Sequence, residues 1–263
     1  MICGMDLGSR AVKMVLFEEG MLREEKVIET AWFYKKCGVH TQQGFTVDFD
    51  AVLSQRPTAM TVTGYGRNSL NIVGSEIISE LKAHMLGALW QTGLEDFTLL
   101  DLGGQDSKVI RVRKGRMDDF LLNDKCAAST GRYLENMAAV LGISLGELSR
   151  HYENPVELSA TCAIFGESEL IGRIVEGVPA SELAAGVNYS IFRRIKPMLL
   201  SLASNTVVFT GGVALGPAVA HWVREELGVQ VIVPDHPQLN GAIGCAVYTQ
   251  QRRERRTTVS CNI

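Results

Sequence analysis

Hydrophobic positions fall into short alternating or compact runs up to Leu122 and into three-to-four spacing beyond it. Ile2 to Asp6 reads as a strand that breaks at Leu7-Gly8-Ser9-Arg10, and Val12 to Phe17 follows as a second. Glu18-Glu19-Gly20-Met21 turns into a third strand, about Arg23 to Thr30. Gly at such a turn is a hairpin signal. Met60-Thr61-Val62-Thr63 is a further strand, ending in Gly64-Tyr65-Gly66-Arg67. Ile77, Ile78, Leu81, Met85, Leu86 and Leu89 recur at helical steps and predict a helix over 75–91, with Gly93 as its stop. Phe97 to Leu102 is a compact apolar strand, and 108–113 and 117–122 flank Lys114-Gly115-Arg116 as a hairpin.

Beyond Leu122 the pattern predicts helices over 126–141, capped by Asp124 and stopped by Gly142, and over 162–175, capped by Ser159 or Thr161. A third helix over 183–203 should be kinked or divided at Pro197. Strands at 207–209 and 230–234 and a small-residue helix at 241–248 complete the pattern. The basic end, Arg252 to Arg256, reads as a solvated helix end or a disordered tail.

One theme is written twice. Asp6-Leu7-Gly8-Ser9 recurs 95 residues later as Asp101-Leu102-Gly103-Gly104, each at a strand end, each before a hairpin, and each followed by a lysine, Lys13 and Lys108. A pseudo-repeat at that spacing implies two like halves facing each other. Thr210-Gly211-Gly212-Val213 ends a third strand in the same way. Glycine lets backbone N–H groups approach an anion, and successive N–H groups cradle phosphate oxygens. A carboxylate just ahead of such a turn is placed to hold Mg²⁺, usually through waters, that sits on the phosphates. Two such turns would clamp the phosphates of a nucleotide, and the third would lie against its nucleoside.

Composition narrows the picture. The chain has 263 residues, enough for one large domain or two small ones, and 46% hydrophobic with 21% charged residues is ordinary for a globular protein. A net charge of -3 gives no reason to expect a nucleic-acid partner. The start MICGMDLGSR lacks a basic segment followed by an apolar one, and no apolar run is long enough to span a membrane, so a cytoplasmic, reducing location is expected. The motifs GxxxxGKS/T, HExxH, GxSxG and CxxC are absent.

Of the six cysteines, Cys126 and Cys162 each stand at the expected first turn of a helix, where the helix dipole favours thiolate. They could be small core residues. Alternatively they could bind a cluster, but a [4Fe–4S] cluster normally takes four thiolates, so a second chain across a two-fold axis would have to supply the other pair. The residues alone leave both readings open. Cys3 is expected in a buried strand, Cys245 in a packed helix, Cys37 in a loop and Cys261 in the tail.

The turns resemble those of the actin/sugar kinase/Hsp70 ATPase superfamily, an α/β, ribonuclease H-like fold of two domains with a nucleotide cleft between them. On that resemblance Asp6–Lys13 is the first phosphate motif, Asp101–Lys108 the second, Phe209–Gly216 the adenosine motif, and Glu76–Ala88 and Gln238–Ala246 the connecting helices. It implies a first domain of residues 1–94 with 240–263 and a second of 95–239. More specifically, Asn123-Asp124-Lys125-Cys126-Ala127-Ala128-Ser129-Thr130-Gly131-Arg132, Cys162-Ala163-Ile164-Phe165-Gly166-Glu167-Ser168-Glu169 and Asp101-Leu102-Gly103-Gly104-Gln105-Asp106 are similar to motifs of the activator ATPases of 2-hydroxyacyl-CoA dehydratases and of the benzoyl-CoA reductase ATPase subunits, the BadF/BadG/BcrA/BcrD group.

That resemblance implies ATP/ADP and Mg²⁺, with Asp6 and Asp101 in the magnesium shell and Gln105 with Glu80 orienting the attacking water. Gly8, Ser9, Arg10, Lys13, Gly103, Gly104, Asp106, Gly131, Gly211, Gly212, Val213 and Gln238 would contact the nucleotide. It implies one [4Fe–4S] cluster per dimer, held by Cys126 and Cys162 of each copy in a homodimer or a pair with a paralogue. A ferredoxin or flavodoxin would supply electrons, and a 2-hydroxyacyl-CoA dehydratase or aryl-CoA reductase component would receive them. His84 is expected to pack or hydrogen-bond between domains. Arg10, Ser129, Gly166 and Cys245 depart from the group's usual Ser/Thr, Gly, Ala and Ala. Rival expectations within the superfamily are a cluster-free small-molecule kinase and a polymerising, actin-like scaffold.

Overall fold

A computed structural model describes residues 1–260 without 43, 69–71, 125, 127, 129, 160 and 161, and of 40, 67, 68 and 256–260 the backbone only. The chain divides into two compact units, Met1–Leu94 with Gln238–Ile263, and Glu95–Pro237.

In the first unit, β1 (Ile2–Leu7) pairs antiparallel with β2 (Ala11–Glu18), which pairs with β3 (Met21–Glu29). On its other side β1 runs parallel to β6 (Ala59–Thr63), and β6 to β7 (Ser75–Ile77). A short helix α1 (Thr30–Lys36) and a hairpin of β4 (Gly38–Thr41) and β5 (Gly44–Val47) lie between β3 and β6 in the chain. Alternate residues of β1, Cys3, Met5 and Leu7, pack with Val12, Met14, Phe33 and Phe45 on one face of the sheet. Gly4 points to the other face, where a Cβ would run into the backbone of Ala242 and Ala246, so α8 (Asn240–Ser260) lies directly on the strand. Glycines also let α8 cross α2 (Glu80–Thr92) closely, Gly244 at Ala83 and Gly87 at Asn240.

The second unit repeats the plan. β8 (Phe97–Leu102) pairs antiparallel with β9 (Ser107–Arg113), and β9 with β10 (Arg116–Asn123). β8 runs parallel to β11 (Thr206–Thr210), and β11 to β12 (Gln230–Ile232). The orders β3-β2-β1-β6-β7 and β10-β9-β8-β11-β12 are therefore the same. Leu100, Leu102 and Val109 of this sheet pack with residues of α3 (Gly131–Leu141), α6 (Ala180–Ser201) and α7 (Pro217–Leu227), among them Tyr133, Met137, Phe192, Ile195 and Val223. α4 (Leu145–Leu148) and α5 (Ala163–Val175) complete the unit.

Four expectations need correction. The apolar run from Ser75 is not one helix: 75–77 form strand β7, and Ser79 caps a helix that starts at Glu80 by accepting from the Lys82 N–H. The helix expected from Cys126 starts at Gly131, with Thr130 as its N-cap in place of Asp124, so Cys126 stands ahead of it in irregular chain. Cys162 is itself the N-cap of α5, while Ser159 donates to Glu169 through its N–H and hydroxyl and Thr161 lies outside the described residues. Pro197 does not divide α6, which runs unbroken through it, with buried Ile191, Phe192, Ile195 and Leu199 anchoring both sides of it to the core. Among the described residues no helix is long and apolar enough to cross a membrane.

Candidate functional site

In the first unit, the β1–β2 pairing sets Asp6 opposite Lys13. The side chains meet at 3.1 Å, with Asp6 buried and Lys13 about one-fifth exposed at 19%. A Cβ on Gly8 would lie 2.7 Å from the Lys13 Nζ, so the absent side chain leaves room for that ammonium to lie over the turn. Gly8 and Ser9 are half-buried and Arg10 is exposed. Thr30, the first residue of α1, pins this turn: its hydroxyl donates to the Gly8 carbonyl at 2.7 Å and its N–H to the Arg10 carbonyl at 3.2 Å. Gly241 at the start of α8 approaches the same carboxylate, since a Cβ there would come within 3.3 Å of Asp6 Oδ2 and 3.0 Å of His84 Nε2. His84 thus packs on α8 within its own unit. Burial, and then the Asp6 charge, push the Tyr34 hydroxyl above its ordinary range.

In the second unit, Asp101 stands opposite Lys108 by the same register. Here the ammonium lies 2.5 Å from Asp106 Oδ2 and 3.6 Å from Asp101 Oδ2. Thr210, the parallel neighbour of Asp101 on β11, donates to Asp101 Oδ1 at 3.0 Å. The turn closes through the Gly103 N–H on the Asp106 carbonyl at 3.0 Å, and it leaves Gln105 exposed at its tip. The start of α3 docks on this turn: the Gly131 N–H donates to the Gly103 carbonyl at 2.9 Å and the Arg132 N–H to the Gly104 carbonyl at 3.1 Å. A Cβ on Gly131 would stand 3.3 Å from Gly103 O and 3.7 Å from Val213 Cγ2. Gly211, at φ +89°, passes so close to Leu102 that only glycine fits, and its N–H bonds the Pro237 carbonyl at 2.9 Å. One cluster therefore holds Asp101, Gly103, Gly104, Asp106, Gly131, Gly211 and Val213, with Gly212 exposed beside it.

Glu80 opens α2 in the first unit, and Gln105 belongs to the second. Gln238 is half-buried in the turn Pro237–Leu239. Two roles escaped sequence reading, the anchoring of the first turn by Thr30 and the bond to Asp101 from Thr210, legible only as the start of the third turn. Thr210 could be found only from its register with Asp101, and nothing in the local sequence marks Thr30.

The cysteines separate by unit. Cys3, Cys37 and Cys245 are buried in the first, Cys37 in the turn between α1 and β4 as the C-cap of α1. Burial pushes the Cys3 thiol up to about 12, and burial followed by the Asp6 charge raises that of Cys245. In the second unit Cys126 is exposed and Cys162 is half-buried. Backbone N–H groups of Ile164 and then Phe165 at the start of α5, with Arg194 adding its charge, hold the Cys162 thiol below its ordinary value. Ile164 and Phe165 beside it are exposed at 74% and 71%, and Leu121 and Leu122 are exposed on β10 ahead of Cys126. Cys261 lies outside the described residues.

Comparison with known proteins adds the following. Residues 3–249 match the BadF/BadG/BcrA/BcrD ATPase family. The chain is 35% identical over 262 residues to the (R)-2-hydroxyglutaryl-CoA dehydratase activating ATPase of Acidaminococcus fermentans, covering 95% of this chain and 96% of the relative. Against a benzoyl-CoA reductase subunit of Thauera aromatica it is 28% identical, covering 96% of this chain and 94% of that relative. The solved activator of the 2-hydroxyisocaproyl-CoA dehydratase from Clostridium difficile, with bound ADPNP, superposes with a TM-score of 0.84 at 31% identity over 98% of this chain and 97% of that one. MreB 5 of Spiroplasma citri, covering 98% of each chain at a TM-score of 0.59 and 12% identity, shares the actin/sugar kinase/Hsp70-like fold.

Proposed function

The chain belongs to the BadF/BadG/BcrA/BcrD ATPase family, and on that premise we propose that it is an ATP-driven one-electron donor that activates a 2-hydroxyacyl-CoA dehydratase. The observation that carries this reading is the docking of α3 on the second turn: the carbonyls of Gly103 and Gly104 hold the chain that follows Cys126. A turn that binds phosphates thereby also holds a segment that presents a thiol.

ATP would lie against both glycine turns, with Asp6 and Asp101 reaching Mg²⁺ through waters. Lys13 and Arg10 supply positive charge to the phosphates, and the backbone of Gly211–Val213 and Gln238 faces the nucleoside. Gln105 and Glu80 orient water for attack on the γ-phosphorus, releasing phosphate and ADP. Positioning and electrostatics account for most catalysis of this kind.

The thiols fit an iron–sulfur group in number and state. Among the described residues each chain offers two accessible cysteines, one with a lowered thiol value, and no group of three or more His, Cys, Asp or Glu gathers there to hold a metal ion. A four-thiolate set then needs Cys126 and Cys162 of two chains. The exposed Ile164, Phe165, Leu121 and Leu122 next to these cysteines favour such a contact. A [4Fe–4S] cluster held there would take up and release one electron at a time, received from a ferredoxin or flavodoxin. A cytoplasmic location accords with this chemistry.

The test is protein purified without oxygen. We expect four irons per dimer, Mg²⁺-dependent ATP hydrolysis, and activation of a dehydratase only when ATP and a reductant are both present. Colourless protein that phosphorylates a small molecule would eliminate the proposal. The likeness to the benzoyl-CoA reductase subunit favours one second reading, the ATPase component of an aryl-CoA reductase. Co-purification with the other reductase components would select it.

A further inference from the structure

The two lysines seven residues after Asp6 and Asp101 occupy the same place in the repeated hairpin, and their surroundings differ. Lys13 has one carboxylate beside it, Asp6 at 3.1 Å, and lies over a turn that carries a second cation, the exposed Arg10. Lys108 stands between two carboxylates, and its side chain is only 5% exposed against 19% for Lys13. The difference traces to one position. Asp106 follows Asp101 by five residues, and the residue five after Asp6 is Ala11. The ammonium of the second turn therefore lies between two carboxylates, where that of the first lies beside one.

We propose that Lys108 is a positioning residue and not a phosphate ligand, whereas Lys13 contacts the nucleotide directly; this rests on the ATPase reading and deepens it. Lys108 is committed to Asp106 at the shorter of its two distances, and Asp106 in turn accepts the Gly103 N–H through its backbone carbonyl. The pair fixes the shape of Gly103–Gln105 and with it the place of Gln105. Asp101 accepts from Thr210 on one oxygen and has Lys108 at 3.6 Å from the other. Asp106, expected from the sequence among the nucleotide contacts, acts in this arrangement through the turn. The labour is divided between the lysines: that of the first turn contacts phosphate, and that of the second shapes its turn.

Two readouts test this, ADPNP affinity in EDTA, where no turnover occurs, and kcat with Mg²⁺ and ATP. Lys13→Met should weaken Mg²⁺-free ADPNP binding by about tenfold or more, as expected for loss of a charge-assisted contact. Lys108→Met should change that affinity by less than about twofold and lower kcat by roughly 10²-fold, the cost of a misplaced catalytic group. Lys108→Arg should restore much of kcat. If Lys108→Met fails to fold because two carboxylates face each other, Lys108→Met with Asp106→Asn removes the conflict and carries the same expectation. Equal loss of ADPNP affinity in the Lys13 and Lys108 variants overturns the division, as does full kcat in either Lys108→Met protein. Wild-type chain that binds no ADPNP overturns the ATP reading itself.

Discussion

The turn after Asp6 and the turn after Asp101 share a strand order, a cross-strand lysine and a glycine in the same place, yet different parts of the chain tie them down. Thr30 holds the first from within the neighbouring strand–helix junction. The second is held by the start of α3, whose preceding segment carries Cys126. Among the described residues the thiols follow the same division, buried in the first unit and accessible in the second. On the proposed reading, a nucleotide at the second turn would be sensed by the cysteine segment through Gly131 and Arg132.

The largest expected effect breaks the comparison at the thiols. Cys126→Ser or Cys162→Ser should each abolish iron binding, since either removes two of four ligands from a symmetric dimer. Cys3→Ala and Cys245→Ala should leave iron content unchanged, because both thiols are buried away from any ligand role. Iron analysis of anaerobically purified variants decides it. A full complement in either the Cys126 or the Cys162 variant would sink the shared-cluster reading.

Next in size is the loss of the carboxylates. Asp6→Asn and Asp101→Asn should each lower Mg²⁺-dependent hydrolysis by roughly 10²-fold or more, as expected for loss of preorganised electrostatic stabilisation. Both residues are buried, at 5% and 2%, and not on open polar turns, so Asn is the informative substitution and Ala would add a cavity. Phosphate release assays across a Mg²⁺ titration measure both.

The repeat was legible because its marks are local: a strand ending in Asp, a glycine without Cβ, a lysine early in the next strand. The helix boundaries were not. Ile77 and Ile78 continue the apolar spacing of α2 backwards, and only the sheet edge offered by β6 draws Ser75–Ile77 into a strand. Asp124 is a competent cap by residue type, but the carbonyls of Gly103 and Gly104 fix the helix start at Gly131 from far away in sequence. Pro197 breaks an isolated helix, and the core holds α6 intact around it. Long-range register likewise hid Thr210, whose partner lies on another strand.

A smaller effect sharpens the wiring. Gly131→Val would press on Gly103 and Val213, where even a Cβ stands at 3.3 and 3.7 Å, and should loosen α3 from the turn. ADPNP and ADP should give different rates of iron loss to a chelator in the wild type, since a ligand shifts an equilibrium only through differential affinity. That difference should shrink to near nothing in Gly131→Val, with iron content retained. An undiminished difference would route the coupling elsewhere.

The smallest effect tests the other anchor. Thr30→Val keeps the shape of the side chain and removes the hydroxyl that donates to the Gly8 carbonyl. The Thr30 N–H still holds the Arg10 carbonyl, so the turn loses one of two ties. A single hydrogen bond of this kind contributes about 1 kcal/mol, which corresponds to roughly fivefold. ADPNP affinity should therefore weaken by no more than about fivefold on that scale, with kcat nearly unchanged, because Gln105 belongs to the other unit. The ADPNP-to-ADP difference in iron chelation should persist, because the ties made by Gly131 and Arg132 belong to the second turn. Loss of that difference in Thr30→Val would show that the two turns act as one, and the asymmetry between their anchors would then have no functional consequence.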